Sequence, residues 1–310
     1  MTFILIPDYE GNSRTDPPLL DRLSLFEPRQ LERILINSAD NLTPSTSDLG
    51  AKFGALPIEL QHHVLLQLDL ASLLKFRQVN KLAMRVADSM AEFEKIMKHS
   101  STKNAIRMAV VLNCGYRFTV AQLFDKLCQA ACDTCGSLAA YIDVFSCTRQ
   151  CLNVGGNCQP RHLPQSLADM IRIYKLNGAQ LAQLVTAGGF QQIPGDYGFG
   201  EEVQGYDTLY DGEAAAKMSP SVSAPLEHYD KLSKLTVVRA LHLNHDDSHT
   251  RDVDLCDDCI KMSRLSFSFT GYARDEDMRL ANAADLADVA LCFSGDMEAH
   301  RADAHPELRE

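Results

Sequence analysis

No apolar stretch of the chain approaches the roughly 20 residues needed to cross a bilayer, and no run of lysine and arginine occurs. Basic residues number 30 against 41 acidic ones, a formal net charge of −11. Phosphate recognition needs a concentrated basic face, so this balance argues against nucleic acid and against an anionic membrane surface as the main partner. The opening Met1-Thr2-Phe3-Ile4-Leu5-Ile6 is apolar but stops at Pro7 and Asp8 and has no basic n-region, so no signal peptide is expected. H-E-x-x-H, G-x-S-x-G and P-loop sequences are absent. The glycines at 195, 198, 200 and 205 follow no strand signal and open no helix, which suits a flexible loop and not a phosphate cradle. Asp246, Asp247, Asp252, Asp254, Asp257 and Asp258 lack the turn glycine and closing glutamate of an EF-hand. They read as a solvated charged loop, or as one that brings a negative field to the neighbouring cysteines.

What is present is ordinary in bulk and unusual in detail. The apolar fraction, 45% over 310 residues, suffices for one or two domains with a buried core. The 10 cysteines stand out. With no export signal, and with four of them in two C-x-x-C pairs, reduced thiols in a cytoplasmic or nuclear compartment fit better than disulfides.

Along the chain, residues 1–54 form an irregular leader with turn formers at Gly11, Asn12, Ser13, Asp16, Pro17 and Pro18. One short helix is expected at Arg29–Asn37, where Leu31, Ile34 and Leu35 share a face. Helical periodicity dominates residues 56–113. Pro57 suits a helix start, and Leu60, Val64 and Leu68 recur at i, i+4, i+8. A second helix spans Leu70–Arg77. A third carries Val79, Leu82, Ala83 and Val86, and Met90, Phe93, Ile96 and Met97 continue it. Another covers Met108–Leu112 and ends at Cys114-Gly115. Thr119–Ala131 is helical, with Val120, Leu123, Phe124 and Leu127 on one face. Residues 188–225, rich in Gly, Pro, Ser and Asp, predict a long mobile loop. Strands are expected at Val237–Leu243 and Arg264–Phe269, and a last helix from about Glu276 to Leu291.

Residues 56–88 hold more apolar side chains than a unit of this size can cover, and its first helix is apolar on more than one face. Some of these residues must pack on the rest of the chain or wait for a partner. The strings Leu56-Pro57-Ile58-Glu59-Leu60, Val64-Leu65-Leu66-Gln67-Leu68-Asp69-Leu70 and Leu73-Leu74-Lys75-Phe76-Arg77-Gln78-Val79-Asn80 strongly resemble an F-box. That family opens with Leu-Pro-x-Glu and carries Leu-x-x-hydrophobic-Arg-x-Val-Asn/Cys. Ala83-Met84-Arg85 stands where many members have an aromatic residue. The resemblance implies docking to the adaptor of a Skp-cullin-type ubiquitin ligase. Leu56, Pro57, Ile58, Leu60 and Leu65 match positions facing that adaptor, and Leu68, Leu73 and Leu74 match positions closing the motif and its contact. Val79 matches a position in the motif's own core. His62 and His63 are expected at the surface or interface.

Cys132-x-x-Cys135 is followed by Cys147-x-x-x-Cys151, then Cys158, and far downstream by Cys256-x-x-Cys259. Two close pairs can close a tetrahedral zinc site. Whether Cys147/Cys151 or Cys256/Cys259 completes the Cys132/Cys135 site stays open. Closing the longer loop costs only about 2 kcal/mol more, while zinc supplies roughly 10–16 kcal/mol in small structural sites. His242, His245, His249, His300 and Cys292 are candidates for a remaining ligand. Cys114, Cys128 and Cys292 read as core. Segment 132–152 also resembles the part that follows the F-box in many fungal F-box proteins, which show Cys-x-x-Cys, an apolar strand and Cys-x-Arg-x-Cys. Cys158 lies seven residues after Cys151, not the three of the fungal F-box pattern that this segment resembles, so that resemblance does not make it a ligand. A redox Cys132/Cys135 pair would need a βαβ setting, and the flanks show none.

The expected fold is mainly α, α+β as a whole. A three-helix F-box near the N-terminus is followed by a helical region with a small strand pair and a cysteine-rich zinc site. The expected division is a leader at 1–54, an F-box at 55–98, and a target-binding region with the cysteine cluster at 99–310. The expected function is a non-catalytic substrate receptor. It would dock the adaptor with one part and an unidentified target protein with the other. The alternative is a zinc-stabilised interaction module with no ligase role. An enzyme, for example a thiol hydrolase, has no motif behind it.

Overall fold

The structure is a computed structural model. It describes residues 31, 36, 49–152, 158, 162–191, 195–196, 202–203, 207–219, 236–245, 250–256, 259 and 291–304. After one turn of helix at Ala51–Gly54, six longer helices in succession make its N-terminal half: α1 Ile58–Leu66, α2 Leu70–Arg77, α3 Lys81–Asp88, α4 Ala91–Lys98, α5 Ser100–Val111 and α6 Val120–Cys128. Their boundaries are written in capping residues. The Asp69 side chain accepts from the Ser72 backbone N–H (2.9 Å) and hydroxyl (2.7 Å), opening α2. Asn80 does the same for α3 through the Ala83 N–H (2.7 Å). Thr119 and Gln122 form a reciprocal capping box on α6. At the end of α5, Asn113 takes a left-handed φ of 51°, and the Cys114 N–H reaches back to the Ala109 carbonyl (2.9 Å).

Three expectations change here. The third helix does not run on through Met97: it stops at Ser89, and Met90, in extended conformation, starts α4. The Ser89 hydroxyl donates to the Val86 carbonyl (2.9 Å) at that break. Val79 precedes the Asn80 cap instead of lying in α3, and it is 62% exposed, not in the core of the motif. The span 188–225 is not one loop. Its described residues include strands β4 Phe190–Gln191, β5 Gly195–Asp196, β6 Glu202–Val203 and β7 Thr208–Tyr210, and the helix Gly212–Met218. These strands are two or three residues long, too short for a period-2 pattern to register in the sequence.

The C-terminal half is built on small antiparallel sheets. β1 Tyr141–Asp143 pairs with β2 Thr148–Gln150 on one side and with β8 Val237–Arg239 on the other, Tyr141 lying opposite both Gln150 and Arg239. β3 Gln165–Ser166 and β4 flank β7, with Leu209 opposite Ser166 and Phe190. β9 Val253–Leu255 pairs with β10 Leu291–Phe293. Helices α7 Leu167–Tyr174, α8 Gly178–Ala187 and α9 Gly212–Met218 surround a second core of Met170, Tyr174, Leu176, Leu184 and Ala215. α10 Met297–Ala304 closes the described chain. No helix among the described residues is long and apolar enough to cross a membrane. Of the expected helix at Arg29–Asn37 only Leu31 and Ile36 are described. The strand at Arg264–Phe269 lies outside the described residues. So does the helix from Glu276, except for Leu291, which is in β10.

Leu31, Leu65, Leu70, Leu73, Phe93 and Ile96 share one hydrophobic cluster with Ile142, Val144, Phe145, Phe190, Leu209 and Val238. Arg149, fully buried on β2, ties this body to α6. Its guanidinium donates to the carbonyls of Lys126, Leu127, Gln129, Ala240 and Leu241 at 2.8–3.1 Å. The carbonyls at the α6 C-terminus carry the negative end of the helix dipole, which offsets the cost of burying the cation. Burial pulls its pKa down to about 9, so it stays charged at neutral pH.

Candidate functional site

Two kinds of site follow from this fold: an apolar face on α1 and two clusters of metal-ligating side chains.

The face begins at the α1 N-terminus. Pro57 and Glu59 are exposed, and so are Ile58 (43%), Leu60 (52%) and Val64 (47%). Pro57, Leu60 and Val64 are spaced i, i+3, i+7, one stripe of a helix, with Leu56 half-buried beside it and Val79 open at the end of α2. The rest of the motif makes the stripe rigid. Arg77 grips Asp88 in two bonds, Nε–Oδ1 2.6 Å and Nη2–Oδ2 3.1 Å, pinning α2 to the end of α3. Gln61 Nε2 donates to the Leu56 carbonyl (2.8 Å), and His62 Nε2 contacts Ser89 Oγ at 3.0 Å. The eight residues assigned to the adaptor contact thus fall into two sets. Pro57, Ile58 and Leu60 face solvent with Leu56 at their edge. Leu65, Leu73 and Leu74 are buried in the main core and Leu68 packs on it, so they hold the helices that present the face.

The first cluster joins Cys132, Cys135, Cys151 and Cys158, whose sulfurs all lie within 4.8 Å of one another. Cys135 and Cys151 are 3.6 Å apart and Cys132 and Cys158 3.9 Å. Four sulfurs at ~2.3 Å from a tetrahedral zinc would be spaced about 3.8 Å apart, so this set fits the ion. A tight turn shapes it. Gly136, at φ 75°, lets its N–H return to the Cys132 carbonyl (3.0 Å), and the Thr134 N–H points at Cys132 Sγ (3.4 Å). Asp133 accepts from the Arg149 N–H (2.6 Å), fastening the turn to β2, which ends beside Cys151. Cys132 is held well below the ordinary thiol range by its hydrogen bonds to Cys151 and Cys158, and Cys151 well above it by its bonds to Cys132 and Cys158.

Cys147 is not in this cluster, a correction to the expected ligand set. It sits at φ 52° in the β1–β2 turn, packed on the main core, and burial pushes its pKa up to about 12. Cys147 and Cys151 bracket β2, and four residues of extended chain span ~13 Å, too far for both to reach one ion. Cys158 takes the place given to Cys147, against expectation. Gly155-Gly156 between Cys151 and Cys158 was the available sequence signal, since paired glycines mark a turn that can bring the chain back.

Cys256, Cys259 and His300 make a separate group, also with ligand atoms within 4.8 Å. Cys256/Cys259 therefore do not complete the Cys132/Cys135 site. Cys114 is buried in the core, its thiol held well above its ordinary range by burial, and half-buried Cys128 is raised to about 11 by the same effect. His242 is no ligand. Its Nε2 lies 2.9 Å from the Ala139 carbonyl, and its Nδ1 lies 3.0 Å from the Gln129 carbonyl and 3.2 Å from Arg149 Nη2, so both ring nitrogens are engaged. His245 stacks edge-on against Phe124; His249 lies outside the described residues. Asp252 and Asp254 of the acidic run are not simply solvated, since both accept from Arg239 at 3.1 and 3.0 Å.

A rigid helical docking module set on a thiol-clasped α+β body is the class that this fold and these sites define. Residues 53–95 match the family model of the F-box domain, so the chain carries an F-box domain that takes in α1 to α3 and the first half of α4. Its motif residues Arg77 and Asn80 are the α2–α3 clamp and the α3 cap. No curated protein and no solved structure matches the chain.

Proposed function

We propose that the protein is a substrate receptor of a Skp-cullin-type ubiquitin ligase, with no catalytic residue of its own. The F-box, taken as residues 55–98, docks the adaptor. Pro57, Ile58 and Leu60 with Leu56 make the contact, and Leu65, Leu68, Leu73 and Leu74 support it from within. The region 99–310 holds a target protein, and the receptor acts by keeping that target near the transferring enzyme, which raises its effective concentration. Work in the cytoplasm or nucleus suits the reduced thiols. The observation that carries this reading is the open stripe of Pro57, Ile58, Leu60 and Val64 on a helix inside the matched F-box segment. An exposed apolar strip on a rigid support is a surface that a protein partner covers.

Zinc is the metal proposed for Cys132, Cys135, Cys151 and Cys158, where it would supply folding energy and no chemistry. The Cys-x-x-Cys and Cys-x-Arg-x-Cys segments likewise support a kinship with fungal F-box proteins. Arg149, the arginine of that pattern, joins the α6 C-terminus to the sheet.

The test is co-purification of the full chain with the adaptor. Ile58→Asp together with Leu60→Asp should abolish capture while the circular dichroism spectrum stays unchanged. Capture undiminished in that variant overturns the assignment.

A further inference from the structure

We infer that Cys256, Cys259 and His300 hold a second zinc ion, distinct from the four-cysteine centre. Cys259 Sγ lies 3.4 Å from His300 Nε2, and the three ligand atoms fall within 4.8 Å of one another. Zinc at ~2.3 Å from sulfur and ~2.05 Å from imidazole nitrogen would set those two atoms about 3.6 Å apart. Buried Cys256 converges on the same point as that pair.

The local fold delivers these ligands from two sides. β9 leads straight into Cys256-x-x-Cys259, and β10 leads through a single 3-10 turn into α10, which carries His300. The two strands pair with Cys292 opposite Asp254. Residues 254, 256 and 292 then share one face of the ribbon. The other face carries Phe293, which stacks under the Arg251 guanidinium (3.7 Å) and edge-on to His242. Cys292 is buried on the cysteine face but is not among the converging ligand atoms.

The consequence is mechanical. Residues 259 and 300 lie 41 positions apart in sequence, and the ion would fasten them. Arg239 of β8 grips Asp252 and Asp254, and His242 bridges Arg251, so this clasped unit is anchored to the sheet that carries the four-cysteine centre. The inference does not rest on adaptor docking, and adaptor capture by the same variants reads that function separately.

The experiment is zinc content of the purified full-length protein by plasma mass spectrometry, with cobalt(II) substitution as the spectroscopic probe. The wild-type chain should hold two zinc ions. Cys259→Ser and His300→Ala should each remove one, and the pair together no more than one. Cys132→Ser should remove only the other. His300→Cys should keep both ions while its cobalt spectrum gains thiolate charge-transfer intensity, a result that a merely misfolded variant does not give. A single zinc in the wild type, or two in both Cys259→Ser and His300→Ala, overturns the second centre.

Discussion

Replacing Ile58, Leu60 and Val64 together by alanine should weaken adaptor binding about 100-fold. These side chains are 43%, 52% and 47% exposed, so about half of each remains to be covered by a partner. Full burial of such a residue is worth ~1.5–3 kcal/mol, so the uncovered half is worth ~1 kcal/mol and the three together ~3 kcal/mol. Each 1.4 kcal/mol is tenfold in affinity, which gives the stated factor. Alanine is the best helix former, so α1 itself is not weakened. Leu65→Ala is the contrasting variant. Leu65 is 1% exposed within the main core, and truncation there should cost ~2–5 kcal/mol of stability. Calorimetric titration of purified adaptor into each variant, beside thermal melts, separates the two effects. A triple-alanine variant that binds within threefold of wild type refutes the reasoning. So does a Leu65→Ala melt that coincides with wild type.

Arg149→Met should lower stability by ~3 kcal/mol or more in denaturant melts, because five carbonyls lose the guanidinium that donates to them. Arg149→Lys should not restore it, since an ammonium has too few donors for that fan of acceptors. His242 gives a pH dependence. Burial first, and then the Arg149 charge, hold its pKa down at about 3, below the ~6.5 of an unfolded histidine. Between those values the unfolded chain binds the extra proton, so its contribution is complete above pH ~6.5 and is lost by ~1.4 kcal/mol per pH unit as pH falls toward 3. Chemical denaturation across that range should show the slope, and His242→Gln should flatten it. Stripping metal with a strong chelator, or Cys132→Ser, should lower the melting temperature; added zinc should restore the first and not the second.

The helices of the F-box were legible in the sequence from their apolar spacing, as Leu60 and Val64 in α1 and Leu82, Ala83 and Val86 in α3, with Pro57 marking where α1 starts. The breaks were harder. Ser89-Met90 carries no proline or glycine, and only the three-dimensional course shows that Phe93 and Ile96 belong to a new helix. Val79 was misplaced for a similar reason, since its apolar character fits the α3 stripe while the Asn80 cap cuts it off. For the thiol centres, spacing identified the ligand types but not the ligand sets. A C-x-x-C pair closes on one ion through its own turn, so Cys132/Cys135 and Cys256/Cys259 were visible as units. What joins each unit is decided by strands and turns between distant residues: β2 separates Cys147 from Cys151, and the β9–β10 pair delivers His300.

The F-box segment and the rest of the chain are not packed as strangers. Leu65, Leu70 and Leu73 of the F-box share a hydrophobic cluster with Phe145, Phe190, Leu209 and Val238. The Leu70 N–H donates to the Phe118 carbonyl (2.9 Å), and Asp69 bridges Thr119, so α2 is stitched at its start to the segment that launches α6. Gly115 fits there because a Cβ would stand 3.4 Å from the Ala71 backbone nitrogen. Arg117 carries the connection onward: it donates to the Phe145 carbonyl (2.9 Å), lies over the Phe145 ring at 4.0 Å and pairs with Asp211 (2.8 Å) at the start of α9. Under the proposed receptor function, effective concentration is highest when the two docking surfaces keep a fixed separation, because a slack joint spreads the target through a larger volume. The shared core and the stitching through Leu70 and Arg117 join the F-box helices to the sheet, and Arg149 extends that joint to the turn at Cys132. The apolar stripe on α1 is left uncovered by the described residues while its neighbours one turn inward are sealed into this common body. That is the arrangement expected of a helix that carries a partner on one side and a rigid load on the other.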